Sequence, residues 1–414
     1  MLQQSTAPFG VHGSVHGSVI GQSSFQKNPP GAPNHPHKNL PPEASLPRAM
    51  NYYADYSGCG FWRMLWPENI LCAYQKAVVS GTTVMCTEPS FYSHTRSVRI
   101  QRQASPHQLK FVQFLRNLAD KNGFQLIYEI DDIMFKEDIP EYNKFKFAFE
   151  DPAVRKASQD IMAMCDEVTV TCEYMKDYYK AKTGNNNITV IPNYPPRFWL
   201  DGYFDEETLS KNYDRCMKKR KKPRVLYAGS GAHFDVGNKT NHNDDFAHVI
   251  ETIRKTVNKI DWVFIGGFPL PLTSLVKSGK IEFHNWTQLY EYPRLVERLK
   301  VNCMVAPLQD NTFNRAKSDI KYVEACAFGL PIACQDMVTY EKAPHKFTTG
   351  DEMIDQINNF MSDKQEYMKI SRKGYQYART RWLENNDNIN KYLELYTLPY
   401  SDPKRLLLNK TNNI

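Results

Sequence analysis

Residues 98–132 read VRIQRQASPHQLKFVQFLRNLADKNGFQLIYEIDD, and this stretch decides the architecture. Its two ends, 98–101 and 124–130, are short runs rich in β-branched, aliphatic and aromatic residues, the composition of strands. Between them, residues 107–121 repeat apolar side chains at helical spacing. A strand, a helix of about four turns and a second strand imply a crossover, because strands joined through a helix pair in parallel. The same alternation extends in both directions. Before and after this unit, strands are expected at 51–54, 82–87, 168–171 and 188–191, with helices at 61–80 and 173–182. Residues 193–222 break the pattern with Pro195-Pro196 and a basic run at 218–222. From Arg224 a second alternating half begins, with strands expected at 225–228, 262–265, 281–284, 302–306 and 331–333. Residues 364–396 are helical in pattern. The fold class expected is α/β, with two doubly wound domains facing across a cleft. The boundaries follow: a disordered tail at 1–48, a first domain at 49–195, a connection at 196–222, a second domain at 223–383, and a terminal helix at 384–414 that packs back toward the first domain.

Composition narrows the class. The chain has 414 residues, and 8 of its 25 prolines and 4 of its 11 histidines fall before residue 49, where apolar residues are too few to offset chain entropy. No run approaches the ~18 apolar residues of a membrane-spanning helix, and no apolar leader is evident at the start. Nine cysteines without a CxxC pair suit a reduced, cytoplasmic protein with buried thiols. A net charge of +7 permits an anionic partner without requiring one.

Four segments carry candidate chemistry. Ser57-Gly58-Cys59-Gly60-Phe61-Trp62-Arg63 follows the first strand and opens a helix, where Gly58 and Gly60 let the backbone approach a phosphate and Arg63 adds charge. Arg63 stands where a dinucleotide fingerprint has its third glycine, so a dinucleotide site is not expected. The plainer reading is a tight strand–helix turn. Tyr128-Glu129-Ile130-Asp131-Asp132 puts two carboxylates at a strand's C-terminal end, where open α/β sheets bind ligands. Asp131 or Asp132 can orient or deprotonate an acceptor hydroxyl; the plainer reading is a loop cap. Without a third ligand, no metal is expected there. Gly229-Ser230-Gly231-Ala232-His233 follows the first strand of the second half and can present amides to an anion.

The fourth segment is the sharpest: Phe313-Asn314-Arg315-Ala316-Lys317-Ser318-Asp319-Ile320-Lys321-Tyr322-Val323-Glu324. With Ser318 as N-cap, Arg315, Lys317 and Lys321 crowd a helix N-terminus, an end whose dipole already repels cations. A bound diphosphate would reconcile them. Glu324, one turn on, would meet ribose or sugar hydroxyls.

In order and register, these segments resemble the group-one glycosyltransferase superfamily of GT-B fold, most closely its bacterial and bacteriophage members. Gln101-Arg102, Cys165-Asp166-Glu167-Val168-Thr169, Ile191-Pro192-Asn193 and Ala306-Pro307-Leu308 add to the likeness, which runs through most of residues 52–340. The resemblance implies two Rossmann-like domains, a nucleotide-sugar donor (a UDP-sugar) on the second, an acceptor on the first, and no metal. It implies catalytic roles for Asp131, Asp132 and Glu324. Donor contacts would come from Gly58, Gly60, Arg63, Gly229, Ser230, His233, Arg315, Lys317, Ser318, Asp319, Lys321 and Tyr322. Many relatives carry two glutamates eight positions apart; here Glu324 matches the second and position 316 is Ala. Asp319 is the candidate to compensate, and the anomeric outcome stays open.

Between Glu88 and Asp120 there is no acidic residue, but there are Arg96, Arg99 and Arg102. These read as acceptor-binding cations, and an anionic acceptor follows, DNA or a phosphate-bearing polymer; the resemblance to bacteriophage members implies a hydroxymethylated base in phage DNA, which the enzyme would extrude from the stack. The host cytoplasm would then be its place of action. The alternatives are a glycosyltransferase of cell-surface polysaccharide or lipid-linked glycan, a GT-B epimerase, and a non-catalytic nucleotide-sugar or nucleic-acid binding module.

Overall fold

The computed structural model describes residues 46–199 and 205–405. The expected tail therefore lies almost wholly outside the described residues, and Arg48, its last residue, instead opens the first strand.

Two six-stranded sheets, parallel throughout, organise the described residues. The first contains β1 (Arg48–Tyr52), β2 (Val78–Thr82), β3 (Thr95–Gln101), β4 (Gln125–Glu129), β5 (Glu167–Val170) and β6 (Ile188–Val190), in the order β2-β1-β3-β4-β5-β6. The second contains β7 (Arg224–Ala228), β8 (Asp261–Ile265), β9 (Glu282–His284), β10 (Cys303–Ala306), β11 (Ile332–Gln335) and β12 (Lys346–Phe347), in the order β12-β11-β10-β7-β8-β9. Every residue of β4 and β10 is buried, as expected of strands covered by helices on both faces. In each sheet the winding reverses once, between β1 and β3 and between β7 and β10. Crevices open at such reversals, beyond the strands' C-terminal ends.

The deciding unit folds for local reasons. Its helix, Pro106–Asn122, opens with a reciprocal Ser105–Gln108 capping box and Pro106 in the first turn. It closes on Gly123 at φ 76°, a left-handed position that glycine takes without strain. Elsewhere the boundaries move. The helix expected at 61–80 ends with Trp66–Ala73, and Gln75 at φ 53° turns the chain into β2, so the strand expected at 82–87 forms earlier, on Val78-Val79. The helix Pro152–Met164, capped by Asp151 and also opened by proline, was not anticipated. The pattern at 364–396 resolves into Lys364–Thr380 and Asn386–Thr397.

The connection is not a plain solvated link. It holds the helix Glu206–Asp214, whose Leu209 and Tyr213 are buried, and the Tyr213 hydroxyl donates to the Met361 carbonyl at 3.0 Å. The chain then crosses back at its other end. The helix Asn386–Thr397 packs on the first sheet, where Ser97 donates to the Tyr396 carbonyl and the Tyr396 hydroxyl donates to Asn51, both at 2.9 Å.

Two site expectations are corrected by burial. Arg63 and Arg99 are fully buried in the first half. Arg63 Nε donates to Glu129 at 2.6 Å, and Arg99 pairs with the other oxygen of the same carboxylate. Burial alone would raise the Glu129 pKa, but the two guanidiniums hold it below the usual carboxylate value. Arg63 also donates to the Ile191 carbonyl at 2.5 Å and to Asn193 at 3.0 Å, so it stitches the start of the first sheet to its end. Neither arginine can reach a ligand. Glu129→Ala would strand two cations in the interior, and a loss of about 3–5 kcal/mol in unfolding free energy is expected. Urea denaturation measures it; a loss below ~1 kcal/mol would show that the triad is not a structural anchor.

Candidate functional site

The C-terminal ends of the strands in both sheets meet at a cavity of about 240 Å³. From the first half it takes Gly58, Cys59 and Trp62 beyond β1, Asp131 and Asp132 beyond β4, and Asn193 beyond β6. From the second it takes Gly229, Ser230 and His233 beyond β7, Leu308 beyond β10, and Lys317, Ser318, Lys321 and Glu324 around the helix Ile320–Ala327. The reversal between β7 and β10 thus lies directly under the cavity.

Lys321 sits at its floor. The ammonium donates to the Ala228 carbonyl at 2.8 Å and lies 5.0 Å from the Tyr227 ring centroid. Burial lowers its pKa, Glu324 partly restores it and Lys317 lowers it again. Burial raises the Glu324 pKa, opposed by Lys321 and Tyr292. The helix dipole adds further positive potential at this end. The site thus holds two lysines where one anion would relieve both.

His233 is fixed from behind. Its Nδ1 lies 2.7 Å from Asp245, a buried carboxylate that also accepts from the Tyr142 hydroxyl at 2.7 Å, from Asn314 Nδ2 at 2.6 Å and from the Gln309 amide at 3.0 Å. Tyr142 comes from the first half and the other donors from the second, so one carboxylate joins the halves and sets the imidazole. Burial first, and then Lys321, push the His233 pKa down to about 4, against the pull of Asp245. With Nδ1–H directed at Asp245, Nε2 is an acceptor.

On the opposite wall Arg102 lies 2.9 Å from Asp55 and 3.6 Å from Asp131. Among the described residues, no cation pairs with Asp132 in this way. Burial raises its pKa and Lys317 moderates the rise.

Not every expected residue arrives. Gly60 shapes the turn instead of lining the cavity: a Cβ there would stand 1.7 Å from the Asp55 carbonyl oxygen. Arg315 turns outward to Asp310, at 2.6 Å. Asp319 is paired with Arg381 at 3.0 Å, and Asp319, not Ser318, occupies the N-cap position. Ser318 instead accepts from Asn193 at 3.0 Å, across the two halves. Tyr322 is buried beside Tyr377. Arg96 is exposed at the start of β3, about 17 Å from the cleft end of that strand at ~3.3 Å per residue. The three supposed acceptor arginines thus form no common surface.

Several lining residues went unnoticed in the sequence. Trp286 beyond β9 is half exposed at the rim, and Gly266, at φ 88°, leaves room for it: a Cβ would come within 3.1 Å of the indole. Its position beyond a strand's C-terminal end was the available signal. Behind the lining, Tyr142 and Asp245 had none, because each lies in a loop, and Asn314 of the short helix Thr312–Arg315 stood in the quoted segment without a role; only the assembled halves bring the three together.

No protein-family model matches the chain, and no curated protein sequence does. Solved structures match in fold. Anabaena HepE in complex with UDP has a TM-score of 0.57 and 11% identity, covering 85% of this chain and 100% of HepE. HepE in complex with UDP and glucose gives a TM-score of 0.56 at the same identity and coverage. The architecture is therefore the expected one: α/β, with two Rossmann-like domains in the GT-B arrangement. NMR titration of the His233 ring tests the electrostatics of the cavity. Neutral imidazole is expected down to about pH 4, and a midpoint near the ordinary histidine value of 6.5 would mean that the ring is solvated.

Proposed function

We propose that this chain is a glycosyltransferase that moves a sugar from a nucleotide diphosphate to an acceptor hydroxyl. The observation that carries the reading is the placement of Lys317 and Lys321 at the positive end of a helix, both lining one cavity between two Rossmann-like domains. Such an arrangement is costly without an anion and well suited to a departing diphosphate. HepE, similar in fold, is solved with UDP, and this supports UDP as the nucleotide.

In this reading the diphosphate lies between Lys317, Lys321 and the amides of residues 229–231, and Glu324 meets the ribose. Asp132, whose raised pKa suits it to take a proton, faces the acceptor. The bond from the anomeric carbon to the diphosphate breaks, the acceptor oxygen bonds to that carbon, and the hydroxyl proton passes to Asp132. Neutral His233 offers Nε2 to a sugar hydroxyl. The lysines and amides carry the leaving-group charge. Position 316 is buried alanine packed among residues of the first half, so the sugar contact that relatives make there passes to other groups. Asp319, tied to Arg381 outside this cavity, does not supply it. A DNA acceptor rested on Arg96, Arg99 and Arg102, and their separation removes its support.

Lys321→Ala is expected to lower UDP-glucose turnover by about 10²-fold or more, the scale of losing a charge-stabilising donor, with the thermal midpoint little changed. Near-normal release of UDP from the variant would refute the assignment. This assay also separates an enzyme from a binding module. UDP binding near pH 8 should take up protons, because the new diphosphate anion raises the pKa of both Lys321 and Glu324 above their values in the empty cavity. Calorimetry in buffers of different ionisation heat reads this uptake; proton release would contradict the placement.

A further inference from the structure

The loop 139–145 of the first half reaches over to the second. Tyr142 is buried there, donating to Asp245 at 2.7 Å and accepting from Asn314 Nδ2 at 2.9 Å. One position earlier, the Glu141 pKa is lowered chiefly by Lys146, with Lys136 and, from the second half, Lys239 adding to the pull. Two positions after Tyr142, Lys144 meets the turn beyond β7. A Cβ built on Gly231 would stand 3.4 Å from the Lys144 ammonium, in van der Waals contact.

The loop is clasped at both ends. Lys146 Nζ donates to the Ile139 carbonyl at 2.7 Å, and the side chain of buried Asn143 accepts from the Phe145 amide at 2.9 Å. The backbone of Lys144 is therefore held, and its side chain carries the freedom that remains. The ammonium lies 5.0 Å from the Phe145 ring centroid. Among the described residues it makes no hydrogen bond and no ion pair.

The turn it meets also lacks negative charge. The Gly229 amide is taken by the Ile265 carbonyl at 3.0 Å, and the Ala232 and His233 amides bond back to Ser230, each at 3.3 Å. The Ser230 and Gly231 amides have no acceptor among the described residues. Successive N–H groups of this kind gather positive potential and make a concavity for an anion. An ammonium set against them is repelled until an anion joins the two. Ser230 lines the donor cavity, so the place where they meet is its rim.

We propose that Lys144 is a donor-binding residue which the first half carries across the cleft, its ammonium closing on a diphosphate held by the amides of residues 230 and 231. The assignment rests on the transfer reading above. The donor site is then complete only when the halves are together, and an occupied site ties them through a contact that the empty protein lacks.

Calorimetry on the full chain with UDP and with inorganic pyrophosphate tests this, with the thermal midpoint of each variant as the check on folding. Lys144→Gln is expected to weaken both probes about tenfold, as loss of one charge-assisted contact would. Lys144→Arg keeps the charge and should stay within about threefold of the parent. Lys136→Gln, which removes a like charge near the same loop, should change neither affinity by more than about twofold. Unchanged affinity in Lys144→Gln, an equal loss in Lys136→Gln, or no rescue by arginine would overturn the assignment and leave the transfer reading in place. Pyrophosphate binding that depends on Lys144, in a parent protein that binds UDP no more tightly than pyrophosphate, would sink the nucleotide reading and leave the anion contact standing. A parent protein that binds neither probe would overturn both.

Discussion

One buried carboxylate holds the two halves in register. Asp245 accepts from a tyrosine hydroxyl of the first half and from an amide, an asparagine and a histidine of the second. A charge so enclosed would be expensive without partners, and four donors satisfy it. Its location gives it more than a structural meaning. The Tyr142 contact, to Oδ1, exists only when the halves are together, and Oδ2 of the same carboxylate holds His233 in one tautomer facing the cavity. Assembly of the cleft and preparation of its imidazole are therefore one event.

A similar economy governs the first half. Glu129 ends a strand whose middle, Leu126-Ile127-Tyr128, is a buried hydrophobic run, and it binds two arginines that the sequence offered as ligand contacts. The two groups of cations look alike on the page: each is basic and near a turn or strand end. What separates them is whether a carboxylate is buried with them. The carboxyls that face Lys317 and Lys321 across the cavity include Glu324 and Asp132, and burial raises the pKa of both. Arg63 and Arg99 share an ionised Glu129. The first group is short of negative charge and the second is not, and this distinguishes a site from a core.

Much of the fold was legible because parallel sheets write themselves in simple alternation. β7, β8 and β10 lie within about a residue of their expected limits, since each is an apolar run between polar turns. The first helix and β2 were misjudged because Val78-Val79 extends an apolar pattern that a helix can also use, and only the left-handed Gln75 separates them. Of the site, residues on strand ends and on the helix Ile320–Ala327 could be read from position. Arg99 could not, since alternation in a strand buried on both faces does not say which neighbour it will meet. Glu129 in the next strand was the missing clue: a carboxylate inside an apolar run demands a cation of its own. The Asp245 cluster joins residues from 12 to 103 positions away from that carboxylate, and its contact across the halves, to Tyr142, leaves no local trace.

The chain passes between the halves twice, and Arg381 binds the two passages together: one nitrogen reaches the Asn193 carbonyl on the outward passage, while the group also grips Asp319. The Arg197 amide donates to Glu384 at 3.0 Å beside it, and two passages fastened side by side in this way behave as a pin. Sliding and twisting are suppressed, and what remains is a swing about that point, so the gap between the halves widens as a door does, least beside the pin and most at the free edge. Admission of a large molecule then depends on the angle of that swing, and the walls beside Arg381, close to the pin, keep their shape while the rest moves.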